Sequence, residues 1–112
     1  MRARLVRPDV DAYIVEVEAR PVGYLQTWRD GEEGGLDMFL VPEARGRGYG
    51  PDSARAVATA LLAQGWPRVT VDPYVWNERA IAGWKKAGFE TVGEHPADEE
   101  HLAGWLLMEF RR

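Results

Sequence analysis

A chain of 112 residues, 46% of them hydrophobic and with a formal net charge of −4, holds material for one domain, residues 1–112, around a small apolar core. The acidic balance argues against a nucleic-acid binder, which is ordinarily basic, and is compatible with a small cationic substrate. No cysteine is present, which removes disulfides, thiolate metal sites and a cysteine nucleophile. No apolar run approaches membrane-spanning length, and Met1-Arg2-Ala3-Arg4 leads into nothing like the apolar core of a signal peptide, so a cytoplasmic location is the default expectation.

In chain order, Tyr13 to Glu18 alternates apolar and polar residues and reads as a strand. Ala19-Arg20-Pro21 reads as a turn, and Val22 to Trp28 as the second arm of a hairpin. Arg29 to Gly35 (RDGEEGG) is expected to be a polar loop. Leu36 to Val41 is a third strand, apolar enough to be central, with Asp37 embedded in it. Behind the glycines Gly46, Gly48 and Gly50, Pro51 suits the first turn of a helix. Ala54, Val57, Ala58, Leu61 and Leu62 then recur at helical spacing, with Gly65 as the expected C-cap. Arg68 to Asp72 reads as a short buried strand, Asn77 as the N-cap of a helix over Glu78 to Ala87, and Gly88 as its stop. Phe89 to Glu94 and Leu102 to Phe110 read as the last two strands, with Trp105, Leu106 and Leu107 assigned to the core. The order is β-β-β-α-β-α-β-β. This is an α/β or α+β fold with a mixed sheet, since the β-α-β crossover demands at least one parallel pair.

The glycine-rich stretch Arg45 to Gly50 is the first place to look for chemistry. Its glycines allow tight turning and close approach of amides, its arginines favour an anion, and a helix opens directly behind it. It is not a P-loop, because no lysine follows, nor a dinucleotide fingerprint, because the spacing is G-x-G-x-G. Two readings stay open for these residues alone. One is an anion nest suited to a pyrophosphate; the other is a plain β–α turn with solvated arginines.

R-x-x-G-x-G (Arg45 to Gly50), followed by N-x-x-A-I-x-x-W-x-K-x-G-F (Asn77 to Phe89), resembles the GNAT superfamily of acetyl-CoA-dependent N-acetyltransferases from Tyr13 to the C-terminus. The Gly35-Leu36-Asp37 strand and the Asp72-Pro73 turn leading to Asn77 are similar to aminoglycoside 6′-N-acetyltransferases, and more broadly to acyltransferases of hydroxylysine-type siderophore precursors. The resemblance implies a mixed, mainly antiparallel sheet with two helices. It implies acetyl-CoA as co-substrate, with no metal. Backbone amides of Arg45, Gly46, Arg47, Gly48, Tyr49 and Gly50 would hold the pyrophosphate. The backbone of Leu40 and Val41 would pair with the pantetheine arm, and Asn77 with the first turn of its helix, through Ala80, would face that arm from the other side. As a helix N-cap, Asn77 has a structural role compatible with this one.

The implied reaction is direct attack of a primary amine on the thioester, with no covalent enzyme intermediate. The lone serine, Ser53, lies within a helix. Asp37 is the first candidate for the base, since a carboxylate in an apolar strand is costly unless paired or used; alternatively it is an edge carboxylate held by an arginine. Asp72 would hold the cationic amine, or caps the turn before Pro73. Trp84 stands where the family usually has a tyrosine, thought to protonate the departing thiolate; an indole donates a hydrogen bond but is no acid. Trp84 also suits packing against the sheet. Tyr49 and Tyr74 are weaker substitutes for the acid. Trp28, Tyr74 and Trp76 could line an acceptor pocket, cover the core or form an interface. His95 and His101 read as loop residues.

About a dozen residues precede Tyr13, too few for the strand and helices with which the family normally begins. Arg2 to Arg7 has room for a strand remnant only. The expectation is an N-terminally truncated chain, either a fragment or natively minimal, with apolar sheet surface covered by a second copy in a homodimer. Two functions follow as alternatives: an N-acetyltransferase on a small cationic, aminoglycoside-like amine, or a truncated acyl-CoA-binding domain without transferase activity, structural or regulatory in role.

Overall fold

The computed structural model of the chain describes residues 2–5 and 12–111; Val6 and Arg7 of the expected strand remnant lie outside the described residues. Seven strands form one sheet in the order β1-β2-β3-β4-β5-β7-β6. Their ranges are β1 Arg2–Leu5, β2 Ala12–Val17, β3 Arg20–Asp30, β4 Glu33–Leu40, β5 Thr70–Val71, β6 Phe89–His95 and β7 Trp105–Phe110. Helix α1 spans Tyr49–Ala63 and α2 spans Glu78–Ala87. The β4–β5 pair is parallel and the other pairings are antiparallel. The expected α/β class with a mixed, mainly antiparallel sheet therefore holds, with β1 as an added edge strand.

The largest difference from expectation is the segment Arg29 to Gly35. It is not a loop: β3 and β4 pair without interruption from Gly23↔Leu40 to Asp30↔Glu33, leaving only Gly31 and Glu32 in the turn. The glycines that suggested a loop have another use. A Cβ on Gly34 would lie 2.6 Å from the Trp66 ring, and one on Gly35 would lie 2.7 Å from Nε1 of Trp28. Glycine here is a close approach of large rings to a strand. The β2–β3 turn sits one residue early, at Glu18 and Ala19, both with positive φ (52° and 64°).

Helix α1 ends in a Schellman arrangement. Gly65 lies one residue past the cap with φ 97°, and the N–H groups of Gly65 and Trp66 return to the carbonyls of Leu62 and Leu61 at 3.0 and 3.1 Å. Asn77 caps α2, its side chain accepting from the Ala80 N–H at 3.2 Å. Gly88 closes α2 at φ 111°. Arg55 of α1 donates through Nε to the Ala87 carbonyl at 3.2 Å and through Nη2 to the Lys86 carbonyl. It thus ties the two helices together at the negative end of α2.

Both helices pack on one face of the sheet. The core joins Val15, Leu25 and Leu36 of the strands to Ala54, Ala58 and Leu61 of α1, then continues through Val71, Ala87, Phe89, Met108 and Phe110. Each buried Leu or Phe contributes about 1.5–3 kcal/mol of transfer free energy. Leu106 packs against this core and Leu107 is half-buried. Trp105, expected in the core, instead lies between the rings of His95 and His101. The opposite face of β3 and β4 carries Tyr24, Gln26 and Trp28 opposite Phe39, Asp37 and Gly35. Tyr24, Trp28 and Phe39 are exposed there, Phe39 by 55%.

Candidate active site

Strands β4 and β5 touch at a single register pair, Gly35↔Thr70, and β5 ends at Val71 while β4 runs on to Leu40. Two parallel strands that pair once and then part leave a gap in the sheet with unpaired strand edge along it. On the helix side of this gap lies a groove of about 530 Å³ between the N-terminus of α1 and the flank of α2. Met38 and Leu40 floor it; Arg45, Gly46, Gly48 and Gly50 form one wall, and Asn77, Ala80 and Trp84 stand in the other.

The backbone fits this groove to an anion with an extended arm. Gly46 and Gly48 have φ of 75° and 83°, and Gly48 is the N-cap of α1 with no side-chain bond to the helix amides. An L side chain in this left-handed region costs about 1–2 kcal/mol. The first amides of α1 thus have no capping side chain and sit at the positive end of its dipole. A Cβ on Gly50 would stand 3.2 Å from Leu40 Cδ1, closing the groove where it meets the strand. The residues present fit a diphosphate at the turn and an apolar arm along β4.

Eight of the expected cofactor and catalytic positions therefore meet in one place: Leu40, Arg45, Gly46, Gly48, Gly50, Asn77, Ala80 and Trp84. Val41 does not. Its N–H donates to the Val22 carbonyl at 2.9 Å and its carbonyl accepts from Ala44 N–H at 3.0 Å, so its backbone is spent within the fold. Backbone groups alternate sides along a strand. Those of Leu40 and Met38 therefore turn away from β3 toward the gap. The Leu40 carbonyl accepts from Arg45 Nε at 3.1 Å. Arg47 is exposed and Tyr49 opens α1; neither lines the groove. Trp84 is both packing and lining. It meets Phe89 edge-on at 5.4 Å between ring centres and also borders the groove.

Across the sheet, Asp37 and Asp72 project at the same gap. Asp37 is exposed on the face opposite the helices, and its pKa is raised, first by desolvation over the sheet and second by the charge of Asp72. No arginine bonds it, so the reading as a paired edge carboxylate loses its partner among the described residues. Asp72 is not a simple turn cap: its Oδ2 is 2.6 Å from His101 Nε2. Tyr74 stacks on Trp76 at 5.7 Å and 10°, with Trp76 67% exposed beside the gap. Trp28 lies over Gly35 on the Asp37 face.

Several residues were missed from sequence. Arg79 and Lys86 line the groove from α2 and give it two more cations. Their i and i+7 spacing on one helix face was a usable signal. His101 and Asp98 sit in a polar stretch with no local motif, and nothing in sequence brings residue 101 to residue 72.

Residues 1–97 match a family model described as an acetyltransferase (GNAT) domain. Aminoglycoside N(6′)-acetyltransferase type 1 of Klebsiella pneumoniae and that of Serratia marcescens are each 32% identical over 106 residues, covering 80% of this chain and 52% of the relative. The chain thus spans about half the length of the curated relatives it matches. The structure of AAC(6′)-Ib in complex with ribostamycin and coenzyme A superposes with a TM-score of 0.72 at 29% identity, over 90% of this chain and 63% of that one. The complex of the same enzyme with coenzyme A and kanamycin gives 0.73 at 29% identity, over 90% and 66%. A GCN5-related N-acetyltransferase from Kribbella flavida shares the fold at 0.74, with 17% identity over 96% and 71%. The glycine turn, the parted strands and these matches agree: the chain belongs to the GNAT acetyltransferase domain family.

Proposed function

We propose that this chain is an acetyl-CoA-dependent N-acetyltransferase acting on a primary amine of a small cationic, aminoglycoside-like substrate. The observation that carries the reading is the gap between β4 and β5, with an amide-walled groove on one face and two carboxylates on the other. Amides from Gly46 to Gly50 hold the diphosphate, with Arg45, Arg79 and Lys86 adding positive charge. The strand edge at Met38 and Leu40 lies along the pantetheine arm, as an added strand would. Its donors can also stabilise charge developing on the thioester oxygen.

Asp72 anchors a cationic amine, and Asp37 takes a proton from the attacking nitrogen, directly or through a water. The raised pKa of Asp37 makes it a stronger base than an ordinary aspartate. The new bond joins the amine nitrogen to the acyl carbon; the carbon–sulfur bond breaks and the pair leaves on sulfur. Trp84 can offer that sulfur an N–H but no proton, and a thiolate of pKa about 8.5 departs without an acid. The indole is also the observation favouring the second reading, a domain that binds acyl-CoA without transfer. On the open face, Tyr24, Trp28 and Phe39 form the surface where a second copy would pack; a monomer by light scattering would overturn that assignment. The enzyme reading is tested by thiol release from acetyl-CoA with an amine panel, wild type against Asp37→Asn. It predicts turnover lost in the variant with coenzyme A binding intact; binding without turnover on any amine supports the second reading.

A further inference from the structure

The nitrogens of His101 both end on carboxylates. Nε2 is 2.6 Å from Asp72 Oδ2, and Nδ1 is 2.9 Å from Asp98 Oδ1. The side chain is only 11% exposed. Its ring stacks on Trp105 at 4.2 Å and 13°, and Tyr74 meets it edge-on at 6.1 Å. Asp98 is itself fixed, accepting from the N–H groups of Glu100 and His101 and from Trp105 Nε1 at 2.9, 2.8 and 3.1 Å. Further bonds fasten the same loop to the β5–α2 connection: Leu102 N–H to Tyr74 Oη at 3.3 Å and Val75 N–H to the Gly104 carbonyl at 3.0 Å.

We propose that His101 is a positioning residue for acceptor binding: it clamps Asp72 by one oxygen, leaves the other for the incoming ammonium, and holds loop 96–104 as the outer wall of the acceptor site. The inference rests on the transferase reading for what Asp72 binds, but the clamp itself does not. Ionised carboxylates only accept hydrogen bonds, so a ring bonded to two of them must donate from both nitrogens, and only the imidazolium does so. Burial alone would lower the His101 pKa; the bonds to Asp72 and Asp98 outweigh it, and the net direction is upward. The groups facing the ring are Asp72 at the end of β5, Tyr74 after it, Asp98 in the loop, Trp105 of β7 and, beyond that indole, His95 of β6. Asp37 of β4 faces Asp72 across the gap. The cation also offsets part of the repulsion between Asp37 and Asp72 that an unclamped pair would carry.

The test uses the full chain. Nitrogen NMR of the imidazole groups should show both His101 nitrogens protonated at neutral pH, with a midpoint above the ordinary value of about 6.5 that falls in Asp98→Asn. His101→Gln should raise the KM for kanamycin about tenfold, the loss expected for one charge-assisted bond, with kcat changed less than about twofold. Wild-type kanamycin affinity should fall as pH rises through the His101 midpoint, and His101→Gln should lose that dependence. Asp98→Asn should move KM in the same direction by less. A His101 that titrates at the ordinary value, or a His101→Gln variant with unchanged KM and pH profile, overturns the proposal. Failure of the wild type to bind kanamycin overturns the anchor role even with the clamp present. Failure to bind coenzyme A would instead overturn the transferase reading and leave the NMR result to judge the clamp.

Discussion

The two faces of the gap between β4 and β5 are built by different means. The groove on the helix face is made largely of backbone: three glycines in five positions, a helix N-terminus and a strand edge. The acceptor face is made of side chains from four separate segments, Asp37 of β4, Asp72 at the end of β5, and Asp98 and His101 of the β6–β7 loop, stacked against Trp105 of β7. Backbone sites leave short contiguous motifs in a sequence, whereas side-chain sites leave scattered residues. A groove walled by backbone is set by the fold, whereas a cluster of side chains can be retuned one residue at a time.

The sharpest way to break the comparison is at the backbone. Gly48→Val forces a β-branched residue to φ 83° and puts a side chain where amides should meet the diphosphate. Coenzyme A affinity should fall more than about 100-fold, since strain and lost bonds add, while melting temperature drops only a few degrees. Next, Asp37→Asn should lower kcat by about 10²–10⁴ in steady-state assays, the range for loss of a general base, with coenzyme A titration unchanged. Asp72→Asn removes the second of the two influences that raise Asp37. The acid limb of the rate profile should then move to lower pH as amine KM rises roughly tenfold.

A smaller effect appears in stability. His101 is raised in the folded state, so its contribution is fully present below the unfolded value and is lost as pH rises through the folded one. Asp98 is lowered, chiefly by the bond from His101, so its contribution is present above the unfolded carboxylate value and is lost as pH falls through the folded one. Thermal melts should show both limbs in the wild type. His101→Gln should flatten both, the alkaline one by removing the titrating group and the acid one by removing the bond that holds Asp98 low.

The same division explains what sequence could reveal. The cap at Asn77, the stop at Gly88 and the αL position of Gly65 follow from local backbone demands and were readable. Gly34 and Gly35 were not, because a glycine chosen to admit Trp66 and Trp28 looks like one chosen for a turn. Whether the Val41 backbone faces β3 or the gap is a matter of register, which depends on the partner strand β3. Trp105 was misplaced because an apolar alternation does not tell a core face from a stack between two histidines. His101 meets Asp72 only after β7 has paired with β5 and brought the β6–β7 loop beside it, and no periodicity encodes that.

Calorimetric titration of coenzyme A into the full chain, wild type beside Gly48→Val, bears most directly on the whole account. Saturable binding at one site per chain in the wild type, lost in the folded variant, is the predicted result. No heat in the wild type at two temperatures, or equal binding by both proteins, would contradict it.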